Sequence, residues 1–250
     1  MINFTFYGRT FYIISIILLI LFGVSCWSEN TISKTQLKPD TAMPGRSNTF
    51  LALGDSYTIG ESVAAGENFP NQTVHILRAH HMRLSDPDII ATTGWTTNDL
   101  LNALKVTPPR HKYSYVSLLI GVNNQYQHKS ISEYSNEFNS LLDSAIKYAG
   151  NIRQNVIVLS IPDYSLTPFA QKMDTAKIAT ELNAFNAVNK KLAGARGVCY
   201  LDITPISRGT KSNPGLTASD GLHPSALQYR KWAELLSAAI LDSPVSPAAF

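Results

Sequence analysis

The chain carries a serine and a histidine whose neighbouring residues suit nucleophilic catalysis. Ser56 follows Gly54 and Asp55 directly after a compact apolar stretch, and His223 comes three residues after Asp220 in a turn that contains glycine. A serine hydroxyl is a poor nucleophile until a base removes its proton. The turn would fold the Asp220 carboxylate onto the Nδ1–H of His223 and leave Nε2 free to act on Ser56. These residues predict a catalytic triad, although the same residue types also suit an ordinary turn before a helix.

Two further positions, Gly94 and Asn123, follow apolar stretches in the same way as Ser56. Ligands of parallel sheets bind beyond the carboxyl ends of the strands, so residues that follow neighbouring strands are expected to meet there. A glycine backbone N–H and an asparagine amide are donors that can stabilise the oxyanion formed when a hydroxyl attacks a carbonyl. Taken singly, each of these residues is also typical of a turn. Together with Ser56 they predict a site for acyl transfer.

The elements that must position these residues alternate regularly from residue 48 onward. Short apolar runs rich in β-branched residues are typical of strands buried on both faces of a parallel sheet, and they occur at residues 49–53, 88–92, 115–120, 155–160 and 198–201. The segments between them have helical periodicity, with one helix expected to end at Gly150 and another before Gly194. This alternation predicts an α/β protein with a three-layer α/β/α sandwich and right-handed crossovers.

The catalytic positions together resemble the four sequence blocks of the SGNH hydrolase superfamily, also called GDSL esterases and lipases. The resemblance covers residues 48 to about 240 and keeps the order of the family. It implies a flavodoxin-like sandwich of about five parallel strands in the order 2-1-3-4-5. The four blocks are Gly54-Asp55-Ser56, Gly94, Gly121-Val122-Asn123, and Asp220 with His223.

The resemblance also implies a role for each site residue. Ser56 would be the nucleophile, His223 the general base and then acid, and Asp220 the partner that orients the imidazole. The backbone N–H groups of Ser56 and Gly94 and the side-chain amide of Asn123 would form the oxyanion hole. Two positions depart from the family pattern: this chain has Tyr57 where the family has leucine and Asn124 where many members have aspartate.

A serine esterase that hydrolyses carboxylic esters through an acyl-enzyme is the activity that the resemblance implies. The family includes carbohydrate acetylesterases, lysophospholipases, thioesterases and lipases, and we expect deacetylation of a carbohydrate. A lipase or lysophospholipase, an acyltransferase that uses the same site, and a non-catalytic surface binding module are the alternatives. For the aromatic residues Tyr57 and Trp95 and for the loop 162–169, the alternatives are a wall of the pocket and ordinary packing.

The N-terminus has the composition of an export signal. Residues 1–25 contain no acidic residue, one basic residue (Arg9) and an apolar run that is too short to span a membrane. Small residues before Cys26 resemble a bacterial lipoprotein signal, in which the cysteine is lipidated. Residues 26–47 are expected to be a flexible tether and residues 48–250 the hydrolase domain. An ordinary signal peptide or an uncleaved anchor are the alternatives to lipidation.

Composition limits the possible partners. The chain has 250 residues, of which 44% are hydrophobic and 16% charged, and a formal net charge of +3, so a sizeable core is expected and a nucleic-acid footprint is not. Two cysteines exclude a disulfide-rich scaffold. The sequence has no Gly-x-Gly-x-x-Gly loop and no metal-ligand spacing, so no cofactor and no metal are expected.

We predict a monomer whose substrate is a small-molecule, carbohydrate or lipid ester. The protein would be exported to the periplasm, outer membrane or surface of a bacterium and held by a lipid anchor.

Overall fold

Five parallel strands form the centre of the structure, a computed structural model that describes residues 47–243. The predicted signal peptide and Cys26 lie outside the described residues, as does all of the predicted tether except its last residue. The strands are β1 (Phe50–Gly54), β2 (Asp88–Ala91), β3 (Tyr115–Leu119), β4 (Val156–Leu159) and β5 (Cys199–Leu201). Their order in the sheet is β2-β1-β3-β4-β5, which confirms the order implied by the family resemblance.

Helices cover the sheet in two layers. The helices are α1 (Ser56–Ile59), α2 (Phe69–Ala79), α3 (Thr97–Val106), α4 (Val122–Tyr126), α5 (Ile131–Tyr148), α6 (Thr175–Arg196), α7 (Thr204–Arg208) and α8 (Ala226–Leu241). The helix α2 packs against α8, while α5 packs against both α3 and α6, and the result is the predicted three-layer α/β/α sandwich. Within residues 47–243 we find no helix long and apolar enough to cross a membrane.

The hydrophobic core lies between the central strands and the helices. Every residue of β1, β3 and β4 is buried, which explains why these strands are continuous apolar runs without alternation. The edge strands β2 and β5 are only partly buried, and β2 begins with the exposed Asp88. Removal of this apolar surface from water is the main favourable contribution to folding.

The register of the sheet aligns the carboxyl ends of three strands. Gly54, the last residue of β1, pairs with Ala91 at the end of β2 and with Leu119 at the end of β3. The residues that follow these three strands therefore start from one line at the same edge of the sheet. These are the segments that carry Ser56, Gly94 and Asn123.

The end of α6 differs from the sequence expectation. We expected the helix to end before Gly194, but it continues to Arg196 and ends at Gly197, whose φ of 64° lies in the left-handed region. A helix end needs a residue that adopts this conformation at low cost, and Gly197 provides it. Gly194 is accommodated inside the helix, where glycine costs about 1 kcal/mol relative to alanine.

The two glycines should therefore respond oppositely to alanine. Gly194→Ala should raise the free energy of unfolding by about 1 kcal/mol, because it improves helix propensity at a position where an added Cβ meets no atom. Gly197→Ala should lower it by about 1 kcal/mol, because an L-residue is strained at positive φ. Urea unfolding of the two variants measures both values. If both variants changed the free energy of unfolding in the same direction, or each in the direction opposite to that expected, the result would contradict the observed helix end.

Candidate active site

Ser56 is the first residue of α1, and only Asp55 separates it from the end of β1. Asp55 caps this short helix, since its Oδ1 accepts the backbone N–H of Tyr57 at 3.0 Å. Only glycine fits at position 54, because a Cβ there would collide with the side chain of Thr58 and the carbonyl oxygen of Leu119. The Gly-Asp-Ser sequence thus makes a tight strand-to-helix turn that presents the serine at the carboxyl edge of the sheet.

The side chains of Ser56, His223 and Asp220 form a continuous chain of hydrogen bonds. His223 Nε2 lies 3.0 Å from the Ser56 hydroxyl oxygen, and His223 Nδ1 lies 2.5 Å from Asp220 Oδ2. With the proton on Nδ1, the imidazole donates to the carboxylate and accepts from the serine hydroxyl. Ser56 and His223 are only 5% and 9% exposed, so little water competes for these bonds. The structure therefore brings together the three residues of the predicted triad in the predicted order.

The Asp220 carboxylate is held by donors on both oxygens. Oδ1 accepts the backbone N–H groups of Leu222 and His223, and Oδ2 accepts from the imidazole and from the Ser62 hydroxyl at 2.7 Å. Burial raises the pKa of Asp220, but the hydrogen bonds from His223, Leu222 and Ser62 outweigh it and bring the pKa to about 2. Asp220 is therefore ionised at neutral pH and can balance a positive charge on the imidazole.

Ser62 was not anticipated from the sequence. It lies 158 positions from Asp220 and belongs to no block of the family pattern. The only local signal is its place in the turn that follows Gly60, and a serine in a turn is common. Its contact with the carboxylate depends on tertiary structure.

The residues expected to hold an oxyanion line the same cleft as the triad. Ser56, Gly94, Asn123 and His223 all border a cavity of about 190 Å³. One N–H of the Asn123 amide donates to the carbonyl oxygen of Trp95 at 2.9 Å, which fixes the orientation of the amide and leaves its second N–H for another acceptor. The four residues therefore face the same cleft.

Asn124, at the position where many family members have aspartate, contacts the start of α3 rather than the cleft. Its Oδ1 accepts the backbone N–H of Thr97 at 3.0 Å, and its Nδ2 donates to the Thr97 hydroxyl at 2.6 Å. These buried bonds join α4, the short helix after β3, to the segment that follows Gly94. Asparagine serves here as both donor and acceptor, which an ionised aspartate cannot do.

Apolar side chains form the walls of the cleft. Tyr57 is almost fully buried, and its ring lies edge-on to the His223 imidazole with centroids 5.5 Å apart. From the loop 162–169, Tyr164 and Phe169 line the cleft, and their rings contact Tyr126 at centroid distances of 6.2–6.5 Å. The remaining apolar lining residues are Val122 and Leu222.

Of the two alternatives for Trp95, the structure agrees with packing, since this residue is not among those that line the cleft. The partly buried Trp95 side chain packs against the hydrophobic core, and its carbonyl oxygen accepts a hydrogen bond from Asn123. The sequence places Trp95 directly after Gly94 but does not say to which side its ring turns. Burial of the large ring against the core is the more favourable outcome.

Asp55 directly precedes the serine, but the carboxylate that contacts the His223 imidazole is that of Asp220. Asp55 is almost completely buried, and burial raises its pKa to about 7 although N–H groups of Tyr57, Gly121 and its own backbone act in the opposite direction. Its side chain caps α1 and accepts a hydrogen bond from the backbone N–H of Gly121, so it also joins the ends of β1 and β3. Across residues 47–243 there is no group of three or more His, Cys, Asp or Glu side chains arranged to hold a metal ion.

Comparison with solved structures finds the same fold in several proteins. The crystal structure of TesA superposes with a TM-score of 0.62 at 16% identity, covering 77% of this chain and 97% of that chain. A lipase/acylhydrolase from Enterococcus faecalis gives 0.60 at 17% identity, covering 77% and 95%. The acetylxylan esterase Axe2 from Geobacillus stearothermophilus gives 0.58 at 18% identity, covering 80% and 94%. At these identities the likeness establishes the fold.

A search of curated proteins finds no match to this chain. The sequence model of one family, the GDSL-like lipase/acylhydrolase family, matches residues 52–231. That range is most of the chain and contains all five residues expected at the site, from Ser56 to His223. With the strand order and the cleft in agreement, the chain belongs to the GDSL-like lipase/acylhydrolase family of SGNH hydrolases.

Proposed function

We propose that the chain is a serine esterase that hydrolyses carboxylic esters through an acyl-enzyme, with Ser56 as the nucleophile. The observation that carries this proposal is the 3.0 Å contact between the Ser56 hydroxyl and His223 Nε2, with Nδ1 of the same ring 2.5 Å from Asp220. A hydroxyl, a base and an orienting carboxylate within hydrogen-bond reach of one another are the parts that acyl transfer needs.

In the first half of the reaction, Nε2 of His223 takes the hydroxyl proton while the Ser56 oxygen bonds to the ester carbonyl carbon. The negative charge that forms on the carbonyl oxygen is held by the backbone N–H groups of Ser56 and Gly94 and by the second N–H of the Asn123 amide. The tetrahedral intermediate then expels the alcohol, which leaves with the proton that Nε2 returns. The product bound to the enzyme is the Ser56 acyl ester.

In the second half, water enters and gives a proton to Nε2 as its oxygen attacks the acyl-enzyme. The intermediate collapses, the Ser56 oxygen recovers its proton from His223, and the free acid leaves. Asp220 is ionised throughout, because its hydrogen bonds keep its pKa at about 2. Its charge stabilises the imidazolium that exists in each tetrahedral intermediate.

For the substrate we propose a short acyl ester of a carbohydrate. Tyr126 and Phe169 are 49% and 40% exposed at the cleft, and exposed aromatic faces suit contact with the apolar face of a sugar ring. The acetylxylan esterase from Geobacillus stearothermophilus, which has this fold, supports the choice. The competing substrate is a long-chain lipid ester, favoured by the exposed Leu166 in the same loop as Phe169 and by the lipase/acylhydrolase with this fold. Acyl transfer to another hydroxyl would use the same acyl-enzyme.

We also propose that Cys26 is lipidated and anchors an exported enzyme to a bacterial membrane. The support is the apolar run that ends in small residues before Cys26 and the polar segment that follows it. Acyl chains contribute about 0.8 kcal/mol of membrane affinity per buried CH₂, so more than one chain on the cysteine gives stable anchoring.

Ser56→Ala should abolish ester hydrolysis, because no other group in the cleft can form the acyl-enzyme at this position. We expect p-nitrophenyl acetate turnover to fall by about 10³-fold or more and labelling by a fluorophosphonate probe to disappear. Ser140→Ala, a change of the same type on an exposed face of α5, is the matched control and should leave both unchanged. Full activity in Ser56→Ala would reject the mechanism, and a wild-type protein that neither hydrolyses nor labels would favour a binding module.

The length of the acyl group distinguishes the two substrate classes. With a series of p-nitrophenyl esters, the proposed deacetylase should have its highest kcat/KM at C2 to C4 and a sharp decline beyond C4. Rates that rise at C8 and above would contradict the short-acyl proposal and indicate a lipase. Phe169→Ala in the same series tests whether this ring limits the chain length.

Cys26→Ser should release the protein from the membrane pellet into the soluble fraction of the bacterium that expresses it, because the mutant hydroxyl cannot carry the lipid anchor. Release should be seen in cell fractionation followed by immunoblotting. A Cys199→Ser variant is the control, since Cys199 begins β5 within the folded domain. If the Cys26 variant stays in the pellet, the anchor is of another kind.

A further inference from the structure

The turn between α1 and α2, residues 60–63, contacts three parts of the active site. The backbone N–H groups of Gly60 and Glu61 both donate to the carbonyl oxygen of Ser56 at 3.1 Å. The Glu61 carboxylate accepts a hydrogen bond from the Thr93 hydroxyl, and Thr93 precedes Gly94 in the wall of the cleft. Ser62 donates to Asp220. The turn thus connects the nucleophile, the glycine loop and the acidic residue of the triad.

Ser62 is held in an unfavourable backbone conformation. Its φ of 66° lies in the left-handed region, which few residues other than glycine adopt. Such a conformation persists only where the surrounding contacts impose it. At Ser62 one of these contacts is the 2.7 Å hydrogen bond to Asp220 Oδ2, which a glycine could not make.

The bond from Ser62 differs in kind from the other bonds to Asp220. The three remaining donors belong to Leu222 and His223, so they lie in the same turn as the carboxylate and move with it. Ser62 comes from the segment that continues the helix of the nucleophile. Its hydroxyl therefore ties the oxygen that accepts the hydrogen bond from His223 Nδ1–H to the element that carries Ser56.

We propose that Ser62 is a positioning residue of the catalytic triad: its hydroxyl fixes the Asp220 carboxylate relative to α1 and so holds His223 at proton-transfer distance from Ser56. The inference rests on the proposed esterase mechanism. Ser62 lines no part of the cleft among the described residues, and it acts through Asp220 rather than on the substrate.

Ser62→Gly separates this role from a purely structural one. Glycine accepts the positive φ without strain, so relief of strain offsets the lost hydrogen bond and Tm should remain about the same. Loss of the hydroxyl should lower kcat for p-nitrophenyl acetate by about tenfold with KM changed less than about twofold, since a misplaced base acts on the transition state and not on substrate binding. The rate of fluorophosphonate labelling should fall by a similar factor.

Asn151→Gly is the matched control. Asn151 also has a positive φ, 67°, but it is exposed in the turn before β4, at the opposite edge of the sheet from the site. The substitution removes strain of the same kind without touching Asp220. It should leave kcat, KM and the labelling rate at their wild-type values.

A double-mutant cycle with Asp220→Ala tests whether Ser62 acts through the carboxylate. In that background Ser62→Gly should cause no further loss of labelling rate, because the group that it positions is gone. Wild-type kcat in the single variant, or an equal loss with and without Asp220, would overturn the inference. Failure of the esterase proposal gives a different result, since wild-type protein would then show no Ser56-dependent labelling at all.

Discussion

The contact between the Ser56 hydroxyl and the His223 imidazole joins two residues that are 167 positions apart in the chain. A proton moves along such a contact only when the two atoms are held within hydrogen-bond distance, and neither residue has local contacts that would ensure this. The serine is fixed by the turn from β1 into α1, and the histidine by a turn that precedes α8. The sheet and the hydrogen bonds between the segments at its carboxyl edge keep these two turns in register.

The sheet supplies the first part of that register. Because β1, β2 and β3 end at paired positions, the segments that follow them begin at one edge, and Ser56, Gly94 and Asn123 reach a common cleft. Hydrogen bonds between loops supply the second part. Asn124 joins α4 to the start of α3, and the backbone N–H of Phe169 donates to the carbonyl oxygen of Gly221 in the turn that carries His223. The wall of the cleft and the catalytic turn are therefore one connected unit.

Membership of the GDSL-like lipase/acylhydrolase family and the geometry of the cleft bear on different questions. The family and the fold establish the class of hydrolase. The aromatic residues Tyr126, Tyr164 and Phe169 line the cleft and belong to none of the four sequence blocks. Tyr126 lies in α4, the helix that also carries Asn123, and the other two follow β4. One fold can host many activities, so the ester is set by the cleft of each protein and not by the fold.

The strands, their order and the triad could be predicted from the sequence, because each depends on a local pattern. Apolar runs indicate buried strands, and Gly-Asp-Ser and Asp-x-x-His each place a reactive side chain in a turn whose residues are adjacent in the chain. The end of α6 could not be fixed in this way, since Gly194 and Gly197 are both possible stops and only the backbone conformation distinguishes them. Nor could the direction of the Trp95 ring be predicted, because it is decided by packing against distant residues.

Ser62 shows the same limit at the site itself. Its residue type and its neighbours are those of an ordinary turn, and its importance arises from a bond to a carboxylate that folding brings to it from near the other end of the chain. The sequence determined which groups could do chemistry and which elements carry them. The tertiary structure decided which polar groups surround Asp220 and which rings face the cleft, because these depend on distances between segments that no local pattern encodes.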